Sequence, residues 1–131
     1  MAKIEKFEDM LSWQKARELT KRVYHVSKRG DFAKDFELRG QMRNASISVM
    51  SKIAEGFERG GDKEFLQFLS TAKGSCGEVR SQLYVALDQS YITPVEFDNL
   101  SSEAVEVSRL VAGFMGYLRQ SDLRGNKFRR A

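Results

Sequence analysis

The chain has 131 residues, 41% hydrophobic and 31% charged, which fits one globular domain with its own core and is short for two. That balance excludes a disordered chain, and no apolar run approaches the roughly 20 residues of a membrane span. The net charge of +4 is unevenly spread: residues 61–122 hold five basic and nine acidic residues, so the first sixty residues and the C-terminal tail carry the excess, an asymmetry that suits an anionic partner such as nucleic acid.

In chain order, Met1-Ala2-Lys3-Ile4-Glu5-Lys6 has no apolar signal region behind it, and Cys76 is the sole cysteine. Both features point to a cytoplasmic protein without an internal disulfide. The first helix is predicted over about 10–29, with Trp13, Ala16, Thr20, Val23, Tyr24 and Ser27 inward and Lys28-Arg29-Gly30-Asp31 as its stop. The second runs over about 36–56 with Leu38, Met42, Ala45, Val49 and Ile53 on one face; Gly56 ends it and Gly60-Gly61 turns the chain. Asp62 caps the third, over about 62–90, whose inner stripe is Phe65, Phe68, Leu69, Ala72, Cys76, Val79, Leu83, Ala86 and Leu87. Thr93-Pro94-Val95-Glu96 is a capping box with proline at the first helical position. The fourth helix follows to about 121, with Phe97, Leu100, Ala104, Val107, Val111, Phe114 and Leu118 inside, and residues 122–131 form a basic tail. Four long helices with short loops predict an all-α, antiparallel up-down four-helix bundle spanning 1–131 as one domain.

Two helices have more apolar or small-residue surface than a lone bundle can bury. On the second, Arg43, Ile47, Met50 and Ala54 form an extra stripe; on the third, Ser70, Gly74, Gly77, Ser81 and Tyr84 lie nearly opposite the core. Each mid-helix glycine costs about 1 kcal/mol relative to alanine, yet a small-residue stripe lets another backbone approach closely. Ile47, Met50, Ala54, Ser70, Gly74, Gly77, Ser81 and Tyr84 are therefore the candidate interface of a homo-oligomer; the alternative is a tolerated glycine pair beside stray apolar residues.

Catalytic chemistry finds little support. A di-metal bundle needs several inward glutamates and Glu-x-x-His pairs, whereas the only histidine, His25, follows Arg22 by three and falls on the polar side. Cys76 lies on a core stripe without a local base, and Gly60-Gly61 matches no phosphate-binding pattern. Glu55 and Glu78 are conceivable as an acid–base pair, with an ion pair or helix-end contact the simpler role. We expect no enzyme, metal or cofactor. The first helix is the best nucleic-acid candidate: Arg17, Lys21 and Lys28 line one flank, Lys15, Arg22 and Arg29 the back, with Glu18 the only acid among them. Together with Arg39 and Arg43, such charges would follow phosphates and give salt-sensitive binding; the alternative is a solvated, solubilising face. Arg124, Lys127, Arg129 and Arg130 extend the basic character into the tail.

Several segments carry a family resemblance over roughly residues 7–118. They are Trp13-Gln14-Lys15-Ala16, Phe36-Glu37-Leu38-Arg39-Gly40-Gln41-Met42-Arg43, Ser46-Ile47-Ser48, Ile53-Ala54-Glu55-Gly56-Phe57, Phe65-Leu66-Gln67-Phe68-Leu69, Ala72-Lys73-Gly74-Ser75 with Glu78, and Tyr91-Ile92. The chain resembles the four-helix bundle proteins of the 23S ribosomal RNA intervening-sequence type. The resemblance implies an up-down bundle assembled as a homo-oligomeric ring of five. A similar architecture occurs in accessory proteins of diversity-generating retroelements, which bind RNA and a reverse transcriptase. Two departures stand out: Lys52 replaces a common asparagine, and a proline expected around Phe32–Phe36 is missing. The sequence thus favours a non-enzymatic, basic, oligomeric bundle that binds RNA or another nucleic acid. The alternative is a structural or adaptor oligomer with a protein partner and no nucleic-acid affinity.

Overall fold

The structure, a computed structural model, describes residues 4–123. Arg124, Lys127, Arg129 and Arg130 lie outside the described residues. After a 3-10 turn at Phe7–Asp9, the chain forms α1 (Leu11–Ser27), a short α2 (Gly30–Lys34), α3 (Phe36–Arg59), α4 (Asp62–Asp88) and α5 (Pro94–Leu123). The described residues contain no strand.

Neighbouring long helices all run antiparallel. Thr20 and Tyr24 of α1 meet Ser46 and Arg43 of α3. Phe57 of α3 meets Phe65 of α4, while Ser48 meets Ser75 farther along. Phe65 and Tyr84 of α4 meet Phe114 and Phe97 of α5. Arg22 of α1 and Arg29, in the turn between α1 and α2, close the square on Glu103 and Glu96 of α5. The order around the bundle is α1, α3, α4, α5, so α1 sits diagonally across from α4. One core runs down the middle. Its largest fully buried side chains include Phe32, Phe65, Met10, Leu19, Met42, Ile53 and Leu69.

Local chemistry fixes the ends. The Asp35 side chain accepts a hydrogen bond from the Leu38 N–H at 3.0 Å and caps α3. Gly60 ends α3 with φ +88°, a left-handed conformation that favours glycine. The capping box forms as the sequence indicates: the Glu96 N–H donates to Thr93 Oγ1 (3.1 Å) and the Thr93 N–H to Glu96 Oε1 (2.9 Å). At the same end of the bundle, Phe32 stacks on Tyr91 at 5.0 Å and the Tyr91 hydroxyl donates to Asp35 (2.9 Å), which ties α2 to the α4–α5 loop.

Several sequence-based expectations need correction. The stretch after the first helix is helical as α2, because buried Phe32 anchors one more turn. Gly56 does not end α3; the helix continues to Arg59. A Cβ at Gly56 would lie 2.8 Å from both Phe65 Cδ1 and Phe68 Cβ, so this glycine allows α3 and α4 to approach closely. The cap of α4 is Gly61, and Asp62 is its first helical residue. In α1, Leu19 and Val26 are buried, whereas Trp13 and Tyr24 sit half-buried at the edge of the core. Phe68, Leu87, Phe97 and Phe114 are also half-buried rather than fully inside.

Candidate nucleic-acid interface

The basic candidates divide between two flanks of α1. Positions 17, 21, 24 and 28 share one flank by helical spacing, and Tyr24 places that flank against α3. Lys15, Arg22 and Arg29 lie on the other, against α5. Here Arg22 Nε is 2.9 Å from a Glu103 carboxylate oxygen. Arg29 makes a two-pronged pair with Glu96, at 2.7 and 2.9 Å. The Arg29 guanidinium, followed by the Thr93 N–H, holds the Glu96 carboxyl down at about 2. Glu103 moves the other way: burial pushes it up, outweighing the nearby Arg22. Arg22 therefore fastens α1, and Arg29 the α1–α2 turn, to α5, and their charge is largely compensated inside the molecule.

The α1–α3 seam is different. Three arginines lie over three aromatic rings along it. Arg17 sits over Trp13 (5.9 Å), Arg43 over Tyr24 (4.5 Å) and Arg39 over Phe36 (4.7 Å). Arg43 Nε also donates to Ser27 Oγ (2.9 Å), and Arg39 Nη1 to the Ala33 carbonyl (2.7 Å). Arg39 and Arg43 are thus each held between a ring and a hydrogen bond to a neutral acceptor. Among the described residues, none of these arginines is paired with a carboxylate. Lys28 is exposed on the same flank; Lys21 is exposed and 3.6 Å from Glu18. Among the described residues, Phe36 is the most exposed of the large hydrophobic side chains, at 70%.

A further arginine lies over an aromatic ring elsewhere, but in an acidic setting. Arg59 over Phe68 is 3.1 Å from Glu55 and 3.9 Å from Glu64, and the Arg59 hydrogen bond draws the Glu55 carboxyl below its usual range. Glu55 thus sits in an ion-pair cluster with Lys52 and Arg59. Glu78 lies in a shallow polar groove between α3 and α4 with Gln41, Asn44, Ala45, Ser48 and Gln82. That groove holds a carboxylate and no cation, the wrong sign for a polyanion. Cys76 is buried, and burial pushes its thiol up to about 11. His25 is exposed. No three His, Cys, Asp or Glu side chains among the described residues are grouped closely enough to hold a metal. No helix there is long and apolar enough to cross a membrane.

The two stripes read as assembly surfaces are not brought together. Ser70, Gly74, Gly77, Ser81 and Tyr84 are exposed on the outer side of α4, and Tyr84 packs edge-on against Phe97 of α5. A Cβ at Gly74 or Gly77 would meet nothing within 4 Å, so neither glycine serves the packing of this chain. Ile47 is exposed and Met50 and Ala54 half-buried along the side of α3 that also carries Arg43, which places them beside the α1–α3 seam.

The aromatic half of the seam escapes sequence reading in part. Trp13–Arg17 and Phe36–Arg39 are local pairs at i, i+4 and i, i+3, a spacing that brings side chains together on a helix. Tyr24–Arg43 joins two helices and has no local signal.

A model of the family described as 23S rRNA-intervening sequence protein matches residues 8–113. Among curated proteins nothing matches. A similar crystal structure is that of a protein with unknown function from the S23 ribosomal protein family of Bacteroides thetaiotaomicron. It aligns with a TM-score of 0.75 at 18% identity, covering 81% of this chain and 96% of that one. At that identity the likeness speaks for the fold alone.

Proposed function

Starting from the fact that the chain belongs to the 23S rRNA-intervening sequence protein family, we propose that it is a non-enzymatic, self-associating bundle that binds RNA along the α1–α3 seam. The observation that carries this reading is the row of three arginines over aromatic rings with no carboxylate partner. Arg17, Lys21, Lys28, Arg39 and Arg43 supply the positive charge. On the α5 side, Arg22 and Arg29 serve the fold through Glu103 and Glu96, and Lys15 lies away from the seam. Residues 61–122, with their excess of acid, repel a polyanion and favour approach from the α1–α3 side.

Self-association is assigned to the exposed stripe on α4. Because α4 lies diagonally across from α1, an assembly that covers Ser70, Gly74, Gly77, Ser81 and Tyr84 leaves the seam open. The ring of five implied by the family resemblance is one such arrangement, and repeated seams would add avidity. A cytoplasmic location suits an RNA partner. Binding to a protein such as a reverse transcriptase is the second reading, favoured by the exposure of Ile47 beside the seam.

A fluorescence-anisotropy titration with a structured RNA at about 50 and about 200 mM salt tests the proposal. Binding that weakens steeply with salt supports it. Absence of binding at low salt overturns it and leaves the protein-partner reading.

A further inference from the structure

Resting on the RNA reading, we infer that the seam takes unpaired bases, so that its ligand is single-stranded RNA rather than a duplex. Arginines held over aromatic rings beside an exposed phenylalanine carry the inference. A guanidinium that binds phosphate does so through the fork of N–H groups at its edge. In Arg43 the Nε–H is already donated to Ser27, and in Arg39 an Nη1–H is donated to Ala33. Those bonds hold Arg43 over the Tyr24 ring and Arg39 over the Phe36 ring, their guanidinium carbons 4.5 and 4.7 Å from the ring centroids, and leave other N–H groups of each to meet phosphate. Arg39 and Arg43 are thus cations held in place beside aromatic rings, the combination that receives the backbone and the unstacked bases of a single strand.

Phe36, largely exposed beyond the arginine that covers it, adds apolar surface that a duplex, with its bases turned inward, cannot use. Arg17 over Trp13 supplies a third arginine–aromatic pair farther along the seam.

The test compares binding of an oligoadenylate of about twelve nucleotides with that of an RNA duplex of similar length, in the full chain. A second arm uses the Arg17→Lys/Arg39→Lys/Arg43→Lys variant, which keeps every charge and removes the planes; Arg17→Lys alone is the companion, because Arg17 makes no hydrogen bond that the fold needs. The wild-type chain is expected to prefer the single strand by about ten-fold or more, since one stacked base accounts for about that factor. The triple variant is expected to lose that preference while keeping its salt slope, and Arg17→Lys to lose part of it. Equal or tighter duplex binding overturns the inference but leaves the RNA reading standing. So does an unchanged single-strand preference in both lysine variants. Failure of both RNAs to bind at low salt overturns the RNA reading itself and this inference with it.

Discussion

Replacing Gly56 with alanine is expected to destabilise the protein, whereas the same change at Gly74 or Gly77 is expected to stabilise the isolated bundle. All three are mid-helix glycines with ordinary helical backbone, and alanine gains about 1 kcal/mol of helix propensity at each. The surroundings decide the sign. At Gly74 and Gly77 the added methyl meets nothing, so the gain of about 1 kcal/mol stands. At Gly56 it would sit 2.8 Å from Phe68 Cβ, an atom that cannot move without its backbone, and 2.8 Å from the Phe65 ring. Forcing α3 and α4 apart costs about 1–3 kcal/mol in a packed core, which outweighs the propensity gain and leaves a net loss of about 1 kcal/mol. For a chain of this size that corresponds to about 3–5 °C in Tm, downward for Gly56→Ala and upward for each of the others. Thermal unfolding should be followed at low protein concentration, where mass action limits any contribution from assembly. A Gly56→Ala protein as stable as Gly74→Ala would refute the close helix approach and the reason given for this glycine.

Other expectations follow from the same geometry. Glu96→Gln should cost about 1–2 kcal/mol at neutral pH, a range discounted for the partial exposure of its Arg29 partner. The Glu96 carboxyl is depressed from 4.5 to about 2 in the folded chain, so its stabilisation is complete above 4.5 and disappears as pH falls toward 2; urea titrations of wild type and variant should converge across that window. Glu103→Gln should cost much less, because burial already disfavours that carboxylate. Cys76, buried with its thiol pushed up to about 11, should resist a thiol reagent at pH 8 until the protein unfolds; fast labelling of the native protein would contradict the core placement. Gly77→Leu should remain helical by circular dichroism yet lower the mass measured by light scattering. An unchanged mass, or a wild-type protein that is monomeric at micromolar concentration, would remove α4 as an assembly surface.

The helices were legible in the sequence because their apolar residues recur at the helical period and their ends have recognisable caps. Thr93 and Glu96 form the expected capping box, and Leu38, Met42, Ala45, Val49 and Ile53 are all buried. The errors lie where local pattern and tertiary packing diverge. Gly56 has the look of a helix end, but its small size serves a contact with residues on the following helix. Trp13 and Tyr24 fit an apolar stripe, yet each ring also lies beneath an arginine at the bundle surface. The basic residues themselves were easy to find. Their division into a compensated α5 flank and an α3 flank whose arginines have no carboxylate partner depends on Glu96, Glu103 and Arg43, which lie far from them in sequence and near them only in the fold.

The most direct test of the RNA account compares two double variants that change net charge equally. Arg17→Glu/Lys28→Glu alters the seam, and Lys15→Glu/Arg109→Glu alters the α5 side, Arg109 being an exposed residue of α5. Anisotropy titrations of single-stranded RNA across a salt series should show the seam variant binding at least about ten-fold more weakly, with its salt dependence reduced by about one to two phosphate contacts. The α5-side variant should stay near wild type. Equal losses in both variants, or none in either, would contradict the placement of the RNA site between α1 and α3.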